Sequence, residues 1–427
     1  MSDRVPNDPR LADPRRRVVV TGLGALTPIG LTPEAFWAGL LEGRSGAGPI
    51  TRFDATDFAT QFACELKGFD PRDYGIERQL SRRADPFTIY ALVAAAEALA
   101  DAGLDGEVAE AERGRTGVVL GAAAAGIELF EKQALVLAQY GPKRVSPFTI
   151  PMYLANMAGA QIALRHGLTG PNHAVASACA TGNDVIASAL MLLRGGYADT
   201  VVAAATEAAV TPTSVAGFNA MRALSTENDN PEGASRPLDV DRNGFVMGEG
   251  AGAFIMETLA HAEARGAEPY AEVLDVGLTN DAYHLASPHP EGRGARAAME
   301  TCLALSGLAP EEVDLISLHA TSTPSGDAIE AGVIEAIFGE HAAHLSCFAL
   351  KSNVGHMFGA AGLVEAAASV LALHHQVAPA TINTQTPETC LNLGLDGPTP
   401  RPMSVALSNS FGFGGHNTTL ALRRWDG

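Results

Sequence analysis

The sequence predicts an α/β protein made of two similar halves that pack as five layers, α-β-α-β-α. Short apolar segments alternate with alanine-rich amphipathic segments along the chain, which is typical of mostly parallel sheets covered by helices on both faces. The same order of elements occurs twice, which indicates an internal duplication. The 427 residues, of which 47% are hydrophobic, provide enough material for two such cores.

The repeat consists of corresponding helices and strands. The pairs are a helix over 82–102 with a strand over 117–121 against a helix over 293–305 with a strand over 313–318, a strand over 200–205 against one over 404–408, and the opening strand against residues 271–276. No linker rich in Pro, Gly or Ser separates the halves, so we expect one rigid interface between them.

The repeat predicts an N-terminal half over residues 17–265 and a C-terminal half over residues 266–427. Residues 1–16 are rich in Pro, Asp and Arg, and we expect them to form a disordered tail.

The charge of the chain excludes some classes of protein. There are 29 basic and 48 acidic residues, a net charge of −19, which argues against a general nucleic-acid-binding protein.

The five cysteines are scattered without CxxC spacing, which favours reduced thiols and a cytoplasmic location. No apolar run reaches the length of a membrane span or has the form of a signal peptide, so no membrane association is expected.

The opening segment, Arg17 to Gly24, is predicted to be a buried strand that runs into a glycine turn. It carries the first two glycines of a dinucleotide-binding fingerprint, but Thr27 stands at the third glycine position and Pro28 follows it. Nucleotide binding at this turn is therefore not expected.

Cys179 lies where an apolar segment passes through small residues into a predicted helix, Asp184 to Leu193. The free N–H groups and the positive dipole end of a helix N-terminus lower the pKa of a thiol and favour the nucleophilic thiolate. Most free cysteines are small core residues, so this segment alone leaves nucleophile and core residue equally open. The other four cysteines lack such surroundings and are interpreted as ordinary thiols.

A second candidate segment follows the predicted strand over 313–318. It begins with His319 and carries Thr321 and Thr323, and functional groups in α/β folds gather at the carboxyl ends of strands. The hydroxyl groups suit an amide-containing ligand, although they could equally serve a turn before the next helix.

Two further segments combine polar residues with glycines. Lys351 and His356 precede a hydrophobic helix that contains Glu365, and a buried Lys–Glu pair often marks a functional site. Near the C-terminus a glycine turn carries Phe411 and Phe413, and backbone N–H groups exposed by such glycines can form an oxyanion hole.

Taken in order, these four segments resemble the elongating type II β-ketoacyl-acyl-carrier-protein synthases, from about residue 17 to 424. They are the Cys179 elbow, His-x-Thr-x-Thr-x-x-Gly-Asp from His319, Lys-Ser-x-x-Gly-His-x-x-Gly-Ala-x-Gly from Lys351, and Asn-Ser-Phe-Gly-Phe-Gly-Gly from Asn409. The resemblance implies the duplicated thiolase fold, which agrees with the repeat. It also implies decarboxylative Claisen condensation of an acyl-enzyme with malonyl-carrier protein in fatty acid elongation.

The resemblance also implies a role for each residue. Cys179 corresponds to the nucleophile, and His319 and His356 to the pair that promotes decarboxylation and stabilises the enolate through neutral N–H groups. Lys351 corresponds to the lysine that orders the site. The remaining roles are Glu365 as partner of Lys351, Asp327 and Glu330 as supporting residues, Thr321 and Thr323 on the phosphopantetheine arm, Phe411 and Ala124 along the substrate, the N–H groups of Cys179 and Phe413 as oxyanion hole, and Phe413 as gate.

The partner implied by the resemblance is an acyl carrier protein, which is strongly acidic and needs a basic docking surface. The residues at the corresponding positions are Arg78, Arg82, Arg83, Lys143, Arg144 and Arg222. Any one of them could equally be a solvated surface charge. The resemblance also implies a homodimer, with apolar segments around 148–165 and 186–205 at the interface, and it requires no metal and no organic cofactor.

Three features depart from the family pattern. Ala320 stands where the family usually has glycine, and the loop from Gly121 to Gly126 has four alanines where the family loop is richer in glycine. Within that loop, Ala124 stands where many relatives have a larger apolar residue at the end of the acyl pocket. A longer or differently shaped acyl pocket is therefore expected.

Three alternative functions differ from fatty acid elongation. A ketosynthase of a polyketide or specialised-lipid pathway stays open. A non-catalytic chain-length partner is disfavoured because Cys179, His319, His356 and Lys351 are all present. A thiolase is disfavoured because the glycine turn over 412–415 contains no second cysteine.

Overall fold

The computed structural model describes residue 13 and residues 16–104 and 110–427. The tail predicted over residues 1–16 lies outside the described residues apart from Asp13 and Arg16. The N–H group of Arg16 donates to the carbonyl oxygen of Asp13 at 2.8 Å.

The first half contains the strands β1 (Val18–Leu26), β2 (Gly48–Pro49), β3 (Phe62–Ala63), β4 (Thr116–Gly121), β5 (Asn172–Val175), β6 (Thr200–Glu207) and β7 (Gly250–Thr258). Its helices are α1 (Pro33–Leu41), α2 (Arg78–Ser81), α3 (Pro86–Asp101), α4 (Glu110–Arg113), α5 (Ile127–Tyr140), α6 (Thr149–Tyr153), α7 (Met157–His166), α8 (Thr181–Arg194), α9 (Pro212–Ala220) and α10 (Leu259–Ala264).

The second half contains the strands β8 (Ala271–Asn280), β9 (Leu315–Ser317), β10 (Ser346–Phe348), β11 (Val377–Ala378), β12 (Thr399–Pro400), β13 (Val405–Gly412) and β14 (His416–Arg424). Its helices are α11 (Arg293–Ser306), α12 (Pro324–Phe338), α13 (Lys351–Val354) and α14 (Ala361–His375).

One large sheet runs through both halves in the order β10-β9-β13-β14-β8-β1-β7-β6-β4-β5. Outward from the centre, each half places its first strand, then its last, then its fourth, second and third major strands. The halves join where the start of β1 pairs antiparallel with the start of β8. Identical strand order in both halves confirms the internal duplication, whereas the boundary at residues 265 and 266 stays a prediction.

The predicted five layers are confirmed by the packing of the helices. Helices α8 and α14 pack against each other and against strands of both halves, so they form the middle layer. Helices α3 and α7 cover the outer face of the first half, and α11 and α12 cover that of the second. The middle helices approach closely because Gly182 has no side chain: a Cβ there would lie 2.3 Å from the Leu363 amide nitrogen.

The predicted glycine turn after the first strand is wrong, because Gly22 and Gly24 lie inside β1. Both glycines face α3. A Cβ on Gly22 would lie 2.2 Å from the carbonyl oxygen of Ala98, and a Cβ on Gly24 would lie 2.0 Å from that of Ala94. The glycines therefore admit the backbone of a helix against the strand rather than reversing the chain.

Other element bounds differ by a few residues from the predictions. The helix predicted over 82–102 corresponds to α3 and begins four residues later than predicted, because Asp85 caps α3 through the Phe87 N–H at 3.1 Å and Pro86 fixes its first turn. The prediction that no apolar run reaches the length of a membrane span is wrong for Phe358–His375, which is long and apolar enough. However, 89% of this stretch is buried inside the protein, and it includes the middle-layer helix α14.

Candidate active site

Cys179 occupies a tight turn between β5 and α8. Ala178, just before it, has a φ of 50°, an unfavourable conformation for a residue with a side chain. Thr181 stabilises the turn: its hydroxyl accepts from the Ser177 N–H at 2.9 Å and donates to the Ala178 carbonyl at 2.7 Å. This strained turn places the Cys179 thiol at the beginning of the helix.

Two histidines from the second half reach Cys179. His356 lies between α13 and α14, and its Nε2 is 2.9 Å from the Cys179 Sγ. Its backbone is fixed by a hydrogen bond from its N–H to the Val246 carbonyl at 2.6 Å. His319 follows β9, and its ring centre lies 5.6 Å from that of His356 with the planes at 87°. The predicted trio of one thiol and two imidazoles is therefore brought together.

Both imidazoles are neutral at ordinary pH. Burial and the positive charge of Lys351 hold the pKa of His356 well below its usual value. The pKa of His319 is lowered by the same two causes and also by His356. Neutral imidazoles keep one N–H each and offer hydrogen bonds without adding charge to the buried site.

The predicted low pKa of Cys179 is wrong for the resting protein. Burial raises the pKa of the thiol to about 12, and the negative charge of Glu207 adds to the rise. Lys351 and a hydrogen bond from the Phe413 N–H act in the opposite direction but do not compensate. The resting Cys179 is a neutral thiol because the enclosed site removes the water that would solvate a thiolate.

Lys351 and Glu365 form a buried ion pair next to the histidines. Both side chains are 1% exposed, and the Lys351 ammonium contacts a carboxylate oxygen of Glu365. Burial raises the pKa of Glu365, and the charge of Lys351 opposes that rise. The pair fixes one positive charge in the site, which is the charge that lowers both histidine pKa values.

Two further acids hold the segment that begins at His319. The buried carboxylate of Glu330 accepts hydrogen bonds from the N–H groups of His319 at 2.9 Å and Ala320 at 2.8 Å. The buried carboxylate of Asp327 accepts from the Thr323 N–H at 3.2 Å and lies 3.5 Å from the Arg242 guanidinium. These contacts fix the backbone of the segment and, with it, the His319 ring.

The site opens into a cavity of about 720 Å³. Predicted site residues that line it are Cys179, His319, His356, Thr321, Thr323, Phe411, Phe413, Ala124, Glu330 and Arg222. The hydroxyl oxygens of Thr321 and Thr323 lie 3.0 Å apart in its wall. Phe413, which lines the cavity, is 37% exposed. By contrast, Lys351, Glu365 and Asp327 are buried and are not among the described residues that line the cavity.

Sequence reasoning missed three aromatic residues and one acid of the site. Phe218, Phe245 and Phe358 line the cavity, and the Phe358 ring centre is 4.8 Å from that of His356. Glu207, fully buried, accepts hydrogen bonds from the N–H groups of Ala123 and Ala124. An acid at the carboxyl end of an otherwise apolar strand was the available signal for Glu207.

The predicted docking residues lie at the surface. Arg78, Arg82, Lys143, Arg144 and Arg222 are exposed. Arg83 is partly buried, and its guanidinium lies 4.2 Å above the Phe148 ring centre, so this contact joins α2 to the segment before α6. Arg222 also lines the cavity, which places one positive charge in its wall.

The depressed pKa of His356 makes the stability of the protein depend on pH. The unfolded chain takes up a proton at this histidine below about pH 6.5 while the folded protein does not, so the free energy of unfolding falls as the pH falls. The loss approaches about 1.4 kcal/mol per pH unit. The His356→Asn variant, which does not titrate there, should lose less stability between pH 7 and pH 5.5.

Denaturant unfolding at several pH values measures this difference. The exposed His344, which lies outside the site, provides the control, because His344→Asn should leave the pH dependence of stability as it is in the wild type. Parallel stability curves for the wild type and His356→Asn would contradict the assignment of a neutral buried imidazole.

Comparison with known proteins agrees with this geometry. Residues 15–262 match the β-ketoacyl synthase N-terminal domain, and residues 270–385 match the C-terminal domain. The chain is 46% identical to the 3-oxoacyl-[acyl-carrier-protein] synthase 2 of Synechocystis sp., over 96% of this chain and 99% of the relative. It is 45% identical to that of Rhizobium meliloti, over 96% and 100%.

Solved structures share the fold over nearly the whole chain. The ishigamide ketosynthase/chain length factor has a TM-score of 0.88 at 32% identity, covering 96% of this chain and 100% of that one. A type II PKS acyl-carrier protein in complex with its ketosynthase, AntDE:AntF, gives 0.86 at 29% identity with the same coverage. With both domains matched in order and the thiol and two imidazoles assembled at one cavity, the chain belongs to the β-ketoacyl synthase family.

Proposed function

We propose that the protein is an elongating 3-oxoacyl-acyl-carrier-protein synthase of fatty acid synthesis. It joins an acyl group held on Cys179 to malonyl-acyl-carrier protein with loss of CO₂. The observation that carries the proposal is the 2.9 Å contact of Cys179 with a neutral His356 at the base of a largely apolar cavity. Relatives at 43–46% identity over 96% of the chain carry this name, which favours fatty acid synthesis over other pathways.

In the first half-reaction, Cys179 Sγ attacks the thioester carbonyl of the acyl carrier. A bond forms between Cys179 Sγ and the acyl carbon, and the bond between that carbon and the carrier sulfur breaks. The proton of the Cys179 thiol ends on the carrier sulfur. A thiol with a pKa of about 12 must give up its proton during attack, and His356 Nε2 is the base within reach. The N–H groups of Cys179 and Phe413 stabilise the oxyanion.

In the second half-reaction, malonyl-carrier protein loses CO₂ and leaves an enolate. Neutral His319 and His356 each donate an N–H to the enolate oxygen, where negative charge develops. His356 does so as the tautomer with its proton on Nε2, the nitrogen that no longer faces a thiol proton once Cys179 carries the acyl group. The enolate carbon then attacks the acyl carbonyl and the bond from that carbon to Cys179 Sγ breaks. The leaving thiolate takes up one proton from solvent, because the CO₂ is lost from a carboxylate and releases no proton. Burial and the positive charge of Lys351 together keep both imidazoles neutral, which is how Lys351 supports this step.

A ketosynthase of a polyketide pathway is the second candidate. Its support is the similarity to the two solved ketosynthases, which are 29–32% identical to this chain. The higher identity to the fatty acid synthases favours the first candidate. A non-catalytic partner is disfavoured, because the thiol and both imidazoles are in contact.

The acyl carrier protein is the proposed partner, as in the solved complex of a ketosynthase with its carrier. The basic residues Arg78, Arg82, Arg83, Lys143, Arg144 and Arg222 are proposed to bind its acidic surface. Thr321 and Thr323 are proposed to hold the phosphopantetheine arm, since both line the cavity that contains Cys179 and their hydroxyl oxygens lie 3.0 Å apart there.

A homodimer is proposed from the apolar residues left on the surface. Leu164 is 75% exposed, and Ile150, Met191 and Tyr197 in the same region are exposed as well. The edge strand β5 pairs with β4 on one side only and offers its other edge to a second copy. A monomer in sedimentation equilibrium at micromolar concentration would contradict this assignment.

A cytoplasmic location is also proposed, because all five cysteines are free thiols. Recovery of the protein from a secreted fraction would contradict it.

The Cys179 assignment predicts a covalent acyl-enzyme. Incubation with an acyl-carrier thioester should add one acyl mass to the wild type, and peptide mapping should place it on Cys179. The Cys179→Ala variant should lose the adduct and about three orders of magnitude or more in condensation rate. Cys302→Ala, which removes another buried thiol, serves as the control. Carrier binding without an adduct in the wild type would favour the non-catalytic reading.

The small side chain of Ala124 predicts acceptance of long acyl chains. The Ala124→Ile variant should fill the inner end of the cavity and lower kcat/KM for long acyl groups by about tenfold relative to short ones. Ala134→Ile, on the exposed face of α5, adds the same volume outside the cavity and should leave the profile unchanged. A wild-type profile that ends at short acyl groups would contradict the long pocket.

The docking residues predict a salt-dependent KM. Arg78→Glu should raise KM for acyl-carrier substrates about tenfold at low salt, and the effect should shrink as salt screens the charges. The rate with a small pantetheine thioester should stay unchanged, because that substrate lacks the acidic protein. Arg423→Glu, an exposed reversal on β14, is the control. An equal KM change for both substrates would argue against carrier docking at Arg78.

A further inference from the structure

One buried carboxylate beside the active site has no part in the proposed chemistry. Glu207 is the last residue of β6 and is fully buried. Its Oε2 accepts hydrogen bonds from the N–H groups of Ala123 at 2.9 Å and Gly359 at 3.0 Å. Its Oε1 accepts from the N–H group of Ala124 at 3.1 Å. Among the described residues it forms no ion pair, so backbone N–H groups alone stabilise its charge.

The three donors belong to two separate segments beside the cavity. Ala123 and Ala124 lie in the loop between β4 and α5 and line the cavity. Gly359 is the third residue after His356, and Phe358 between them lines the same cavity. The segments touch: a Cβ on Gly359 would lie 2.5 Å from the amide nitrogen of Ala123. One carboxylate therefore joins the cavity wall to the segment that carries the second histidine.

A purely structural role would not require a carboxylate at this point. Burial raises the pKa of Glu207 to about 7, which reflects the cost of an ionised group there. Its charge also raises the pKa of Cys179 and so opposes formation of the thiolate. This acid works against the nucleophile, so its contribution lies in its geometry: a carboxylate offers two acceptor oxygens to the three N–H groups.

We propose that Glu207 is a positioning and specificity-determining residue that fixes the Ala123–Ala124 wall of the acyl pocket relative to the His356–Phe358 segment. The inference rests on the proposed function, in which an acyl chain fills this cavity from Cys179. Holding both segments on one carboxylate sets the length of pocket available when the acyl carbonyl lies beside His356.

The Glu207→Gln variant separates the two contacts. An amide can keep its oxygen at the position of Oε2, where two N–H groups converge, and must then turn its NH₂ toward the Ala124 N–H. The Ala124 hydrogen bond is lost while the Gly359 bond is kept. The ratio of kcat/KM between the longest accepted acyl group and a short one should change about tenfold. Acylation of Cys179 by a short group should change much less.

Glu207→Ala and Glu257→Gln complete the series. Glu207→Ala removes all three acceptor contacts and should also lower kcat for every acyl length. Glu257 is a buried carboxylate on β7 that pairs with Arg265 away from the cavity, so Glu257→Gln should lower activity equally at all lengths, if at all. An unchanged length profile in a folded Glu207→Gln protein, or a uniform loss like that of Glu257→Gln, overturns the proposal.

Hydrogen exchange in the wild type tests the same tie without a variant. The amides of Ala123, Ala124 and Gly359 donate to the same carboxylate, so we expect them to open together and to have the same protection factor in hydrogen exchange. Independent exchange at Gly359 overturns the proposal even if no Glu207 variant folds. Failure of the proposed function is seen separately, as a wild type that condenses no acyl group with malonyl-carrier protein.

Discussion

The close contact of the two middle helices is the constraint on which the active site depends. Gly182 in the first turn of α8 meets Gly362 and Leu363 in the first turn of α14, where a Cβ would lie within 2.3 Å of backbone. The duplication makes these helices equivalent, so both begin near the centre of the molecule. Cys179 precedes one helix and His356 precedes the other. The 2.9 Å contact of thiol and imidazole follows from the contact of the two helix N-termini.

The buried charges around the contact of thiol and imidazole keep the two imidazoles neutral rather than stabilise the fold. Lys351 supplies a positive charge that holds down the pKa of both histidines, and Glu365 keeps that charge in place. Glu330 is stabilised mainly by N–H groups, and it holds the backbone of His319. Each buried acid costs folding free energy, and each fixes one segment of the site.

The sequence predicted the duplication and the residues at the site well, because the order of strands, helices and motifs along the chain is visible in local sequence patterns. It failed where the answer depends on what packs against a residue. Gly22 and Gly24 indicated a turn, but the approach of α3 to β1 explains them. The helix N-terminus predicted an acidic Cys179, but enclosure by residues distant in sequence raises its pKa to about 12. Glu207 was missed because its donors, Ala123 and Gly359, are far from it in the chain.

The composition of the cavity wall that we propose to hold the acyl chain explains why a distant acid would be needed there. The loop from Gly121 to Gly126 is made of alanines and glycines, whose side chains have too little surface to lock a backbone in place by packing. Larger side chains would fix the loop but would also occupy the pocket. A wall of small residues therefore needs hydrogen bonds on the side that faces away from the cavity. The Glu207 carboxylate accepts such bonds from the backbone N–H groups of Ala123 and Ala124. The hydrogen bonds to Glu207 restrain the loop from outside the cavity. The proposed pocket can therefore keep both its space for an acyl chain and a fixed length.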